Sequence, residues 1–303
     1  IRQVPVPYER REVSEGRRFS SFCPTCAFQH AFAIMTPLGQ RLRLESTGWR
    51  RSLRRWRGAI LAFTFSRRGQ MAGKGTREIS VFVGESGSFD PDAKSSQFYL
   101  VCMVFHDQDV SIAENVAALN VGLREIGIAE DHAVHAGPLI RWESPYRNLR
   151  RQDRRVVFAK MLAFLRRTDV TYRCFHVDKR FVDDVGILHD RLLQQIVAFL
   201  SAHAAEFNAY DKLKVYYDNG QSNVCDILKD AFALFSSKVE FVKNVAPDKY
   251  KLFQVADTIA TLELVRLKLE TDGHISDAEK DFFLTIQNLK KNFLKPTARK
   301  LYQ

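Results

Sequence analysis

The chain lacks most of the short motifs that announce a chemistry. It has no Gly-x-x-x-x-Gly-Lys-Ser/Thr phosphate loop, no Gly-x-Ser-x-Gly turn and no His-Glu-x-x-His pair. P-loop nucleotide chemistry, a serine-hydrolase elbow and a helix-borne zinc protease are therefore excluded. Cysteine is sparse: five in 303 residues. Three of them, Cys102, Cys174 and Cys225, lie inside apolar stretches without metal-ligand spacing, which predicts reduced packing residues in a reducing compartment rather than a disulfide framework. Apolar runs such as Ala59 to Phe65 are far too short to cross a bilayer, and no charged-then-apolar-then-small leader is present. The expectation is a cytoplasmic protein with no membrane association.

The first 70 residues lack Lys, Asp and Asn altogether, yet hold 14 Arg and 4 Glu. They show no sustained helical or strand period. The formal net charge of +11 thus resides almost wholly in this stretch, and the rest of the chain is nearly neutral. Bulk charge alone does not define a polyanion-binding domain. At Met71 the composition changes abruptly. This predicts that residues 1–70 are a poorly structured non-domain extension, upstream sequence read through in frame with the true start near Met71. The other reading is a basic arm, with Trp49 and Trp56 among the arginines, that binds nucleic acid. Cys23, Cys26 and His30 have half of a zinc spacing, but no second pair follows.

From residue 71 to 303, periodic elements succeed one another without repeat or low-complexity tract. Ile79 to Val83 and Phe98 to Phe105 read as strands of a hairpin. A helix from a capping-box match at Ser111 and Glu114 to about Ile126 follows, then a short strand over Val134 to Ile140 and a helix from Asp153 to Arg167. Next come a strand (Thr171 to Val177), a long helix (Val182 to Phe207), a strand (Leu213 to Tyr217) and a helix (Asn223 to Phe235, capped by Ser222). A strand (Val239 to Val242) and a helix (Leu252 to Leu269) precede a last helix, from a capping box at Ser276 and Glu279 to about Phe293. This alternation predicts one α/β domain, a sheet covered by helices.

Three acids stand where a strand ends or a helix opens, the places where ligands gather in open α/β sheets. Glu85 follows the first strand, Asp218 terminates Val215-Tyr216-Tyr217, and Asp257 lies on a helix face shared with Gln254 three residues earlier. Carboxylates from separate elements that converge on Mg²⁺ or Mn²⁺ form a site able to activate water and neutralise charge in phosphodiester cleavage. The alternative is that they are solvated loop acids and helix caps.

The phrases Val83-Gly84-Glu85-Ser86-Gly87-Ser88-Phe89, Val177-Asp178-Lys179, Tyr217-Asp218-Asn219-Gly220-Gln221 and Phe253-Gln254-Val255-Ala256-Asp257-Thr258 resemble, in order and spacing, the motifs of a bacterial and phage family. It is the domain of unknown function numbered thirty-eight hundred, and the resemblance runs from about Ile79 to the C-terminus. It implies a ribonuclease H-like fold, a mixed sheet flanked by helices, and a nuclease acting on RNA or DNA, in a possible defence system. The implied catalytic and metal-binding residues are Glu85, Asp218 and Asp257, with Gln254 beside them and Mg or Mn as the cofactor. His135 occupies a place where the family often has a polar residue near the site; the other reading is a satisfied or surface histidine. Asp178 either joins the site or pairs with Lys179 or Arg180.

The family's opening phrase is usually Asp-Glu-Ser-Gly, and here Gly84 stands in place of the aspartate. Glu85 should point to the opposite face of the strand unless a bulge re-aims it. Metal binding should be weakened, and Gly84→Asp should restore it. Three explanations stand: an inactivated variant, a degenerate relative kept for binding, or a rearranged site using Glu85. The functional expectation is an impaired metal-dependent nuclease. The alternative is a non-catalytic nucleic-acid-binding or regulatory module, supported by the arginines Arg141, Arg147, Arg150, Arg151, Arg154 and Arg155 beside Trp142 and Tyr146. An enzyme on small phosphate compounds is a third class.

Overall fold

The computed structural model describes residues 76–92, 96–218, 220–243 and 245–303. The readings made for residues 1–70 and for Met71 lie outside the described residues. Five strands form one sheet: β1 (Glu78–Ser86), β2 (Phe98–Asp107), β3 (Thr171–Asp178), β4 (Lys212–Tyr216) and β5 (Val239–Val242), in the order β3-β2-β1-β4-β5. β2 runs antiparallel to both β1 and β3, whereas β4 lies parallel to β1 and to β5. The hairpin and the mixed α/β sheet expected from the sequence are present. β2 is buried from Phe98 to His106, as an unbroken apolar run demands of a strand covered on both faces.

The helices are α1 (Ala113–Arg124), α2 (Ala136–Arg141), α3 (Arg151–Arg167), α4 (Val185–Ala202), α5 (Ser222–Phe232), α6 (Lys251–Asp272) and α7 (Asp277–Phe283). Strand alternation separates two cores. Phe82, Leu100, Cys102 and Val104 face α1, α2, α3 and α6, while Val81, Val83, Val101 and Val215 face α4 and α5. All the described residues belong to one compact unit, Arg68–Gln303. Among them no helix is long and apolar enough to cross a membrane.

Several local expectations are corrected. Val134 to Ile140 is not a strand: α2 begins at Ala136, with Pro138 in its first turn where a missing N–H costs nothing. The Ser111 capping box does not form, because α1 starts one residue later than that reading requires and its N-cap is Ile112. Ser222 lies inside α5, whose N-cap is Gln221. The long helix is shorter than read: Asp184 caps α4 by accepting from the Ile187 N–H at 2.9 Å, and α4 stops at Ala202 before a separate turn over Ala204–Asn208. The Ser276 and Glu279 capping box is present, but α7 ends at Phe283, where Leu284 turns to φ 66° and short helical turns replace one continuous helix.

Cys102 and Cys174 are likewise not separate thiols. The β2–β3 register sets them directly opposite one another, Cα atoms 4.1 Å apart, and they are joined as a disulfide. A register is a long-range property, so 72 residues of sequence separation hid the pair.

Candidate functional site

The parallel pairing of β1 with β4 brings their carboxyl ends together. Phe82 pairs with Tyr216, and their rings stack at 4.5 Å. Two residues beyond that pair stand Gly84 on β1 and Asp218 after β4. α6 crosses this end of the sheet directly over Gly84. A Cβ built on Gly84 would lie 2.8 Å from the Ala256 carbonyl carbon and 2.9 Å from the Asp257 nitrogen. The absent side chain is therefore what lets α6 lie so close, and it sets Asp257 above the strand ends.

Asp257 is partly buried and accepts the Ala136 N–H at 2.7 Å, at the first turn of α2. Burial pushes its carboxyl above the usual range, and the Asp218 charge pushes the same way. The Ala136 N–H, His135 and Arg141 oppose that rise. His135 is thus within electrostatic reach of Asp257 and serves as N-cap residue of α2. The segment that delivers Ala136 is fixed by Tyr146, whose hydroxyl accepts the His135 N–H at 2.9 Å and meets His132 Nε2 at 2.9 Å. Burial drives the Tyr146 hydroxyl up to about 12.

Glu85 faces the other way, as alternation requires, and no bulge re-aims it. Its Oε2 accepts from the hydroxyls of Tyr99, in a very short bond, and of Tyr217, at 3.2 Å. Burial raises the Glu85 carboxyl most; Asp218 raises it further, while the two tyrosines pull it down. Both tyrosine hydroxyls are in turn pushed far above their ordinary value. Asp218 is exposed and accepts the Gly220 N–H at 3.1 Å. Glu85 Oε1 and Asp218 Oδ1 lie 3.1 Å and 3.3 Å from where a Cβ of Gly220 would stand, so a side chain at 220 would crowd both carboxylates.

The Asp218 charge thus acts on both Glu85 and Asp257 and repels both. Gln254 binds the Pro247 carbonyl through Nε2 at 3.0 Å, and its buried Oε1 has no partner among the described residues. Asp178 is taken by Arg180 and Gln97. Of the arginine strip, Arg141 pairs with Glu143, Arg150 with Asp153 and Arg151 with Asp281. Arg154 is buried, donating to the Leu139 and Ile140 carbonyls. The strip is thus more structural than the sequence suggests. Tyr99, Tyr217 and the Ala136 N–H were missed by sequence reasoning, and Tyr146, read there as part of a nucleic-acid strip, is buried and bonded to the His135 N–H instead. Only Tyr217, adjacent to Asp218, carried a local signal.

Among the described residues no three His, Cys, Asp or Glu side chains cluster tightly enough to cage a metal. Donors of the chemical kind that a hard cation takes do lie at this end of the sheet. Two carboxylates repel one another at a strand end, and a buried amide oxygen one turn from Asp257 has no partner among the described residues. Mg²⁺ is commonly bound by one or two carboxylates plus substrate phosphate, rather than by an all-protein cage.

The sheet order and its helix-covered faces define an α/β protein built on one mixed five-stranded sheet. No family model and no curated protein matches the sequence. A chain of the PCNA:RNase HII complex from Archaeoglobus fulgidus is similar in structure at 13% identity, covering 74% of this chain and 91% of that chain with a TM-score of 0.33. A likeness at that score adds nothing to the strand order itself.

Proposed function

We propose that this protein is a divalent-metal-dependent nuclease or a nuclease derivative of the ribonuclease H-like kind, acting on RNA or DNA with a weakened metal site. With it we propose membership of the family numbered thirty-eight hundred, and with that a bacterial or phage source and a role in defence. The observation that supports the reading is that Asp218 follows β4 and Asp257 lies on α6 over Gly84 of β1, near enough for the Asp218 charge to act on the Asp257 carboxyl. Asp218 and Asp257 would hold Mg²⁺ or Mn²⁺, completed by substrate phosphate, with the Gln254 carbonyl oxygen one turn away. Such an ion supplies charge neutralisation at the phosphate and a more acidic bound water. Asp257 is oriented by the Ala136 N–H. Glu85, whose ionisation is resisted by burial, is suited to hold a proton beside the cleft, and the tyrosine hydroxyls fix which way it points.

A second reading has its own observation. The space of the expected first carboxylate is filled by the α6 backbone at Gly84, which favours a non-catalytic nucleic-acid-binding module. One experiment separates them. The full chain and its Asp218→Asn form are incubated with labelled RNA and DNA, in Mn²⁺ or in chelator. Cleavage that needs both Mn²⁺ and Asp218 supports the nuclease; retention without cleavage supports the binding module; neither would overturn both.

A further inference from the structure

We propose that Trp142 is a stacking platform for an unpaired base of a single-stranded nucleic acid. This deepens the reading above and rests on it, since the strand would run from this ring toward Asp257. Trp142 ends α2 in the left-handed region, φ 59° and ψ 42°, a conformation costly for a bulky side chain and most often kept where function demands it. Large indoles normally bury their area, yet this one is 56% exposed. It is nonetheless held firmly. Its Nε1–H donates to the Arg147 carbonyl at 2.9 Å. The Arg154 guanidinium lies 5.6 Å from the ring centroid on the protein side, itself buried and tied to the last carbonyls of α2.

A preoriented indole backed by a cation and open to solvent is the geometry that stacks bases without reading sequence. Its surroundings select a polyanion: residues 141–155 hold six arginines against Glu143 and Asp153, and among the described residues the one further acid paired with them is Asp281. An excess of positive charge therefore remains around the ring. α2 connects the platform to the carboxylates. Its first residue gives its N–H to Asp257, and its six residues span roughly 9 Å at 1.5 Å per residue. A base on Trp142 would thus sit within a nucleotide or two of the cleft. Paired bases keep their faces inside the stack, so the platform should distinguish single strands from duplex.

The test measures anisotropy of labelled single-stranded and duplex oligonucleotides, in chelator, with the full chain and its Trp142→Asn and Trp142→Phe forms. Asparagine tolerates the left-handed conformation, so Trp142→Asn should fold, and its melting temperature is recorded alongside. The expected result is single-strand binding weakened roughly tenfold in Trp142→Asn, largely retained in Trp142→Phe, with duplex binding unchanged. Equal binding by wild type and Trp142→Asn, an equal loss for both substrates, or a wild type that retains no single strand would each overturn the platform. The two readings fail separately. Mn²⁺-dependent cleavage with a Trp142→Asn form that binds as well as wild type sinks the platform alone. Binding lost through Trp142 in a protein that never cleaves sinks the metal site alone.

Discussion

Gly84 of β1 and Ala256 of α6 are in backbone-to-backbone contact: a Cβ on the glycine would stand 2.8 Å from the Ala256 carbonyl carbon and 3.0 Å from its oxygen. Neither is the end of a flexible side chain, so nothing can swing aside. The glycine that sequence comparison reads as a lost metal ligand is, in this fold, the condition for placing Asp257.

Gly84→Ala should therefore destabilise the protein by about 1–3 kcal/mol through overpacking against α6, and Gly84→Asp by at least as much. Urea unfolding of the two variants measures this. Contrary to the sequence expectation, Gly84→Asp should not tighten Mn²⁺ binding by calorimetry. A stable Gly84→Asp protein with tighter Mn²⁺ binding would show that α6 yields to the added carboxylate.

Asp257 gives a pH dependence of known sign. Its carboxyl is raised by burial first, with the Asp218 charge adding to it. Below the unfolded value of about 3.9 the acid is neutral in both states. As pH rises through the folded value the native state must carry a poorly solvated charge, and stability is lost. Asp257→Asn should thus gain melting temperature relative to wild type as pH climbs from about 4 to about 8. A gap that stays constant or narrows would contradict the assignment.

Tyr99 and Tyr217 hold Glu85 by hydroxyl donation. Removing either leaves a mostly enclosed carboxylate short of a donor, at a cost of about 1–3 kcal/mol in Tyr99→Phe or Tyr217→Phe. The carboxyl pKa of Glu85, followed by carbon NMR, should rise in both variants. If burial of Glu85 were complete without these bonds, neither stability nor titration would move.

Tyr146→Phe should leave the His135 N–H without its acceptor and cost about 1–3 kcal/mol. Because His135 and Ala136 are neighbours, loosening this segment should also speed amide exchange at Ala136, the donor to Asp257. Unchanged protection at Ala136 would mean that α2 is fixed by its apolar packing alone.

The fold was largely legible because its strongest signals are local. The apolar runs Ile79 to Val83 and Phe98 to Phe105 could only be strands, and Val239 to Val242 was read to the residue. The errors fall where a short segment's fate depends on contacts far away. Val134 to Ile140 is apolar enough for a strand, but its long-range contacts include those with α6 and α3, and it coils into α2. Around the candidate site, strand alternation correctly sent Glu85 to the face opposite Gly84.

Composition and periodicity by themselves determined that the described residues would make an α/β sheet with acids at its carboxyl end, because the period of the side chains and the ends of apolar runs are properties of neighbouring residues. Only the tertiary structure decided that Cys102 would meet Cys174, that Tyr99 and Tyr217 would hold Glu85, and that α6 would fill the space at Gly84. Those pairings depend on register and on how closely two backbones approach, quantities set by the whole packed core and carried by no single stretch of chain.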